Sequence, residues 1–502
     1  MKKLEISNLK FIIIYSIYSF FVLNIPLFIK FFKTLSPESI GDYIFSLGLL
    51  ISCLSLSVVF FSLFFQKYIT KFAAICFLII SSVVSFFTLF YNIPINSDMV
   101  ENAFSTDMNE MRDLISFQLI VYLLFFGILP SIIIAFFIKI KYSFAKNLFL
   151  IVVCLLLSIV IIFLLYFKIA AFFRVNRGIN DYFTPLNYIG PVYEILEKKL
   201  FVKAPEEEHE VTDARIKNLS KNLNIVLIIG ETARKKNFSL YGYKRETNPL
   251  LQRQKDLKVL DPTISCSTST RFSIPCIFNP NSFTESFLTT LQRLGVWVKW
   301  YENNYGGCYG ACNKLNHVFK INHSDCSGSC PDGLIFEEFY KDIENGSGKR
   351  LFVLHQNGSH GPLYYKRYPV EFIKFTPECQ TSSVNKCSKE ELINAYDNTI
   401  LYTDYLIYHA IENLKKSKAP SVLIYISDHG ESLGENGIFL HGFPYKIAPR
   451  EQKEIPFLIW STEDLVIKNL PEYTHKQILH TIFKLLEVST SVYVEEENII
   501  QK

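Results

Sequence analysis

A surplus of either charge is nearly lacking. Lys and Arg number 51 against 47 Asp and Glu, a formal net charge of +4 over 502 residues. No concentrated basic stripe stands out, so nucleic acid is excluded as an expected partner. Long internal repeats and low-complexity tracts are absent as well, so the length must be divided among discrete domains. After the first apolar run there is no small-residue cleavage site, which excludes a cleaved signal peptide and leaves an uncleaved anchor.

What is abundant is apolar. Hydrophobic residues make up 49% of the chain, with 45 Phe. The excess sits in the first third, where runs near 11–32, 44–65, 72–93, 117–138 and 148–167 are each long enough to cross a bilayer, which takes about 20 residues. Lysines mark the sides. Lys2, Lys3 and Lys10 precede the first run, Lys67 and Lys71 lie in the second loop, and Lys139, Lys141 and Lys146 lie in the fourth. The third loop is acidic instead, with Asp98, Glu101, Asp107, Glu110 and Asp113 against Arg112. Lys30 and Lys33 in the first loop weaken this bias without reversing it. The positive side is cytoplasmic, and five crossings then put everything after about residue 168 outside the cytoplasm.

Cysteine agrees with that topology. Of 11 cysteines, Cys53, Cys76 and Cys154 lie in membrane runs as apolar packing. The others form close pairs, Cys266 and Cys276, Cys308 and Cys312, Cys326 and Cys330, Cys379 and Cys387. Four disulfides and an oxidising compartment follow. The rival is a zinc-thiolate site from Cys308, Cys312, Cys326 and Cys330, whose spacing zinc would tolerate.

The expected division is a transmembrane domain over 1–167, a linker with an interfacial helix over 168–221, and a catalytic domain over 222–502. The linker carries a Pro-Gly stretch around Pro185–Pro191 and an acidic run, Glu206–Glu210. From 222 onward short continuous apolar runs recur at Ile225–Ile229, Val296–Trp300, Leu351–Leu354, Val422–Ile426 and Pro456–Trp460. Such runs predict strands buried on both faces in a parallel α/β sheet, where active sites lie at the strands' carboxyl ends. Three of them deliver chemistry there. Ile229 is followed by Gly-Glu-Thr-Ala-Arg, Leu354 by His-Gln-Asn-Gly-Ser-His-Gly, and Ile426 by "SDHGESLGENGIFLHG".

Glu231, Asp428 and His429 suit zinc, which takes oxygen and nitrogen ligands and leaves a fourth position open. Asp428 and His429 are adjacent, so a loop must aim both at one ion, and Gly430 is expected to relieve the turn. The nucleophile is sought in "SCSTSTRFSIPC", 265–276, where a disulfide would hold a hydroxyl in place. Thr268, Thr270 and their serine neighbours are all candidates. His355, His360 and His441 are candidates to contact phosphoryl oxygens or handle protons. Lys366 and Arg367 read as solvated surface.

"NIVLIIGETARKKNFSLYGYKRETNP", "SCSTSTRFSIPCIF", "QNGSHGPLYYKRYP" and "SDHGESLGENGIFLHG" together resemble the phosphoethanolamine transferases that decorate lipid A and related glycans, the mobile colistin-resistance enzymes among them. The resemblance covers nearly the whole chain. It implies five transmembrane helices, a tether and a disulfide-rich α/β/α catalytic domain of alkaline-phosphatase-like (sulfatase) fold in the periplasm, anchored in the inner membrane of a bacterium. It places the nucleophile on Thr270, the zinc ligands on Glu231, Thr270, Asp428 and His429, with a second zinc ion allowed, and substrate contacts on His360 and His441. It places the donor's head group on Asn102, Thr106 and Glu110, whose spacing by fours puts them on one helix face. Phosphatidylethanolamine is the implied donor and lipid A or another envelope glycan the acceptor, by way of a phosphothreonine-type intermediate, in a monomer, with resistance to polymyxin as the consequence. Two departures stand out. Tyr309 follows Cys308 where relatives carry lysine, and Arg271 adds a cation beside the nucleophile where relatives often have alanine. The alternatives are a lipid-derived phosphoglycerol transferase and a zinc phosphohydrolase of the same superfamily.

Overall fold

The computed structural model describes residues 3–35, 39–176, 178–201, 210–279, 285–322, 326, 330–344 and 346–501. Of the acidic run in the linker, residues 206–209 lie outside them. The chain forms two compact units, Met1–Val100 with Ile115–Leu196, and Glu101–Leu114 with Glu197–Lys502.

The first unit is helical. Among the described residues four helices are long and apolar enough to cross a membrane: Ile40–Phe64, Thr70–Tyr91, Phe117–Phe137 and Phe144–Leu164. The expected first crossing is not a single straight helix. Asn8–Val22 and Ile25–Lys33 meet at a bend of 54°. Pro26 is the physical reason, since it has no N–H to continue the ladder and its ring clashes with the preceding turn. The Asn24 side chain takes over, donating to the carbonyls of Ser19 at 2.9 Å and Thr184 at 2.8 Å. The third long helix carries π-helical turns at Leu124–Ile128 and Ile133–Phe137 on either side of Pro130. A short strand, Leu4–Ser7, pairs in parallel with Ile138–Lys141, and Glu5 bridges Lys139 and Lys141.

The second unit is built on a 7-stranded sheet. In chain order its strands are β1 (Leu223–Gly230), β2 (Lys258–Val259), β3 (Trp297–Glu302), β4 (His317–Lys320), β5 (Lys349–His355), β6 (Ser421–Ser427) and β7 (Phe457–Ser461). Their spatial order is β2-β7-β6-β1-β5-β3-β4. The apolar runs all become strands. β6, β1, β5, β3 and β4 are mutually parallel. β7 departs from the parallel expectation and runs antiparallel to β6. The chain leaves β6 at its carboxyl end and returns to that same end through a loop, and such a return needs no crossover helix.

Ile225, Leu227, Ile229, Leu351, Val353, Ile424 and Phe457 are fully buried in the core, with Trp300 against Phe278. A long helix, Lys389–Lys416, starts at a capping box in which Ser388 and Glu391 exchange side-chain to backbone bonds. All eight cysteines of this unit are joined in the four expected pairs. The thiolate-zinc alternative falls with them, and Cys53, Cys76 and Cys154 remain free thiols.

Candidate active site

The register of β5, β1 and β6 brings their ends level. Ile229 lies opposite His355 on one side and Ile426 on the other, and Gly230 lies opposite Ser427. The next residues, Glu231 and Asp428, therefore leave the sheet side by side. Their ligand atoms and that of His429 lie within 4.8 Å of one another, and all three residues are buried. Thr270 arrives from elsewhere as the first residue of the helix Thr270–Phe278. Its hydroxyl lies 3.2 and 3.1 Å from the two Glu231 carboxylate oxygens and 3.2 Å from His429 Nε2.

The local backbone is built for close approach. Thr232 holds φ +52°, a conformation that strains a β-branched residue by roughly 1–3 kcal/mol and persists only where neighbours enforce it. Its N–H donates to Asp428 Oδ1 at 3.1 Å and its carbonyl accepts from Tyr396 at 2.6 Å. Gly358, at φ +48°, lets the 356–360 loop lie against Glu231; a Cβ there would sit 2.8 Å from the Glu231 backbone N and O. Gly430 serves a different purpose from the one expected. It does not adopt positive φ, but a Cβ there would meet the Glu451 carbonyl at 2.0 Å.

The donor set fits a cation. His429 Nδ1 lies 2.9 Å from the Gly430 carbonyl, so Nδ1 carries the proton and Nε2 presents its lone pair. That lone pair faces Asp428 Oδ2 at 3.2 Å and Glu231 Oε1 at 3.6 Å. Asp428 Oδ2 is buried with no hydrogen-bond partner among the described residues. Three electron-pair donors thus converge where only a positive charge satisfies them. Burial, then the charge of Asp428, pushes the Glu231 carboxyl well above its ordinary range. Burial also opposes ionisation of Asp428, but His429 and the Thr232 amide outweigh it and hold that carboxyl low. Burial pushes the His429 imidazole down to about 4, which keeps it neutral as a ligand must be.

A second group lies beside the first. The His441 ring is 4.6 Å from that of His429 and 5.3 Å from that of His360. Glu431 Oε2 is 3.4 Å from His441 Nδ1. Burial disfavours charge on His441, yet Glu431, then Glu110 and Asp428, outweigh it and raise its pKa. The segment Glu101–Leu114 belongs to this unit and brings Glu110 Oε1 to 3.6 Å from His360 Nε2.

Three expectations are corrected. Asn102, Thr106 and Glu110 do not share one helix face, because the helix Ser97–Ser105 ends and another, Met108–Leu114, begins. Asp107 causes the break, its carboxylate accepting from the N–H groups of Asn109 at 2.6 Å and Glu110 at 3.2 Å in the manner of an N-cap. His355 is not among the site's contacts; it is buried with Nδ1 2.9 Å from Glu302. Arg367 is not solvated surface, being buried with Nε donating to the His360 carbonyl at 2.8 Å and a second nitrogen 2.6 Å from Asp113. Two residues were missed. Asn304 donates to Glu231 Oε2 at 2.6 Å. Glu431 holds His441, and its place in the Asp-His-Gly-Glu run was a signal that went unused.

The fold and this convergence of acidic and imidazole ligands on a helix-borne hydroxyl define a metal-dependent enzyme of the sulfatase fold, and the Sulfatase family model matches residues 223–488. The model described as Phosphoethanolamine transferase EptA/EptB matches residues 53–200. Phosphoethanolamine transferase EptA of Escherichia coli strain K12 is 34% identical over 100% of this chain and 98% of its own length. Phosphatidylethanolamine transferase Mcr-1 of Escherichia coli is 34% identical over 84% of each. The solved lipooligosaccharide phosphoethanolamine transferase A of Neisseria meningitidis is 32% identical with a TM-score of 0.92, covering 99% of this chain and 98% of that one. The chain belongs to the phosphoethanolamine transferase family and is a membrane-anchored phosphoethanolamine transferase.

Proposed function

We propose that this enzyme moves phosphoethanolamine from phosphatidylethanolamine to a phosphate or sugar of lipid A, or of another envelope glycan, through a covalent adduct on Thr270. The single observation that carries this is the Thr270 hydroxyl within 3.2 Å of both Glu231 and His429. The donor and acceptor follow the names of the relatives. Glu231, Asp428, His429 and Thr270 would hold zinc, which when bound lowers the pKa of the hydroxyl and offsets charge on the phosphoryl oxygens.

The residues of the chain do the rest. Thr270 Oγ releases its proton to solvent before the donor enters and then attacks phosphorus, the bond between phosphorus and the glycerol oxygen breaks, and diacylglycerol leaves with a proton. His441, whose burial is outweighed by Glu431 so that its pKa is raised, is placed to donate that proton. Burial of Glu231, Asp428 and His429 excludes water from the nucleophile. The acceptor hydroxyl then gives its proton to the neutral His441 as its oxygen attacks the same phosphorus from the opened side, and Thr270 leaves as the alkoxide it began as. Asn102, Thr106 and Glu110 take the ethanolamine end, where Glu110 stays ionised because His360, then His441 and Arg367, outweigh its burial. Placing an ammonium on an anionic envelope phosphate weakens attraction for cationic peptides, so resistance to polymyxin follows.

The test is intact and peptide mass spectrometry of the detergent-solubilised, zinc-loaded protein incubated with phosphatidylethanolamine. A phosphoethanolamine adduct on Thr270, absent in Thr270→Ala, is expected. Consumption of donor with an unmodified Thr270 would mean hydrolysis or another nucleophile.

A further inference from the structure

Arg271 follows the nucleophile in the first turn of its helix, and its side chain is about one-third exposed. One terminal nitrogen lies 2.6 Å from Glu101 Oε1, and Glu101 is exposed to a similar degree. Among the described residues the guanidinium has no other hydrogen-bond partner, which leaves most of its five donors unused. The neighbouring arginines are committed. Arg234 is buried against Glu435 at 2.7 Å and the Glu431 carbonyl at 3.1 Å, and Arg367 against Asp113 and the His360 carbonyl. Tyr309 belongs to the loop closed by the Cys308–Cys312 disulfide. It holds φ +42° and folds back so that its hydroxyl occupies the space a side chain on Gly306 would need. Burial, then the charges of Glu110 and Glu231, pushes the pKa of its hydroxyl up, with Arg271 opposing.

An ion pair whose partners are each about one-third exposed is weak and screened. A guanidinium with a phosphodiester is a stronger, two-point match. A zwitterionic head group offers both partners at once, a phosphate for Arg271 and an ammonium for Glu101. We propose that the Arg271–Glu101 pair reads the donor's head group by opening around it, Arg271 taking the phosphodiester and Glu101 the ammonium. One internal ion pair is exchanged for two to the ligand, and a phosphodiester without an amine recovers only one. The inference rests on the donor assigned above and adds a second carboxylate, beyond Glu110, to the selection of ethanolamine.

The experiment uses the full-length, detergent-solubilised, zinc-loaded Thr270→Ala protein, so that binding is read without chemistry. Calorimetric titration with dihexanoyl-phosphatidylethanolamine and with its phosphatidylglycerol counterpart is compared across R271Q, E101Q and the exchanged pair R271E/E101R. R271Q is expected to bind both lipids roughly tenfold more weakly. E101Q is expected to weaken only the ethanolamine lipid and so erase the preference. The exchanged pair keeps an ion pair but opposes both ligand charges, so it does not rescue. Rescue by the exchange, or equal losses for both lipids in E101Q, would show a clasp that only holds the 101–114 segment and would overturn the proposal. Unaltered thermal unfolding and zinc content in the variants separate these outcomes from misfolding. Loss of the Thr270 adduct from the parent enzyme would count against the nucleophile while leaving this binding result standing.

Discussion

The Asn304 amide donates to Glu231 Oε2 at 2.6 Å and also reaches the Gln356 carbonyl at 3.2 Å. It therefore fixes the rotamer of the carboxylate and offsets part of the burial and Asp428 charge that push its pKa up. Removing a partner of a metal ligand costs about 10–100-fold in metal affinity. Asn304→Ala is expected to lose zinc by that factor in a competition titration against a chelator, with Thr270 intact. Asn304→Asp should lose more, since it sets a second anion against Glu231. An unchanged affinity would assign Asn304 to packing alone. Asn304 escaped notice in the sequence because the apolar run stops at Trp300, whereas β3 continues through Tyr301 and Glu302. Glu302 is buried and bonded to Trp300 at 2.8 Å, and a buried acid inside a strand breaks the hydrophobic pattern that marks the strand's end. Glu231, Asp428 and His429 were legible because each directly follows an unbroken apolar strand.

At the level of elements, the segments that carry the chemistry are loops pinned to the sheet edge and to the helix Lys389–Lys416. Gly358 is one such pin. Gly358→Ala would need φ +48° and would press a Cβ against the Glu231 backbone, so a loss of roughly 1–3 kcal/mol is expected. A fall in thermal unfolding temperature together with loss of transfer would confirm it, and unchanged unfolding would refute it. Asp404, on the long helix, accepts from the N–H groups of Leu250 at 2.9 Å and Leu251 at 3.0 Å. Burial pushes its carboxyl up from 3.8 to about 7. The folded chain thus holds a proton that the unfolded chain releases, so stability from this group is full below about pH 4 and falls as pH rises toward 7. Asp404→Asn keeps an acceptor and removes the titration. It should flatten the unfolding temperature between pH 4 and 7 and raise it at pH 8. The strands and their shared edge were legible from apolar runs alone. The break at 106–107 was not, because spacing by fours is satisfied by a continuous helix and by two short ones, and only the reach of Asp107 to the amides ahead decides.

For the whole molecule, the number of crossings decides which face of the membrane holds the chemistry, and length and apolarity alone allow four or five. The parallel pairing of Leu4–Ser7 with Ile138–Lys141 resolves the count. Paired strands lie on one side of the bilayer, so the chain between them crosses an even number of times. The helices Ile40–Phe64, Thr70–Tyr91 and Phe117–Phe137 supply three, and the bent pair from Asn8 to Lys33 must supply the fourth. Phe144–Leu164 then counts as the fifth, and the chain after it is expected on the non-cytoplasmic side. The lysine bias gives that face the same sign, and four disulfides demand that it be oxidising. The expected result is read by thiol labelling of intact spheroplasts with a membrane-impermeant maleimide. The eight cysteines from Cys266 to Cys387 should stay unlabelled until an impermeant phosphine reduces them, then react from outside. Labelling only after the membrane is broken would place the unit on the cytoplasmic side and remove the bent helix pair from the count, whereas labelling of intact spheroplasts without reduction would keep the count and overturn the disulfides.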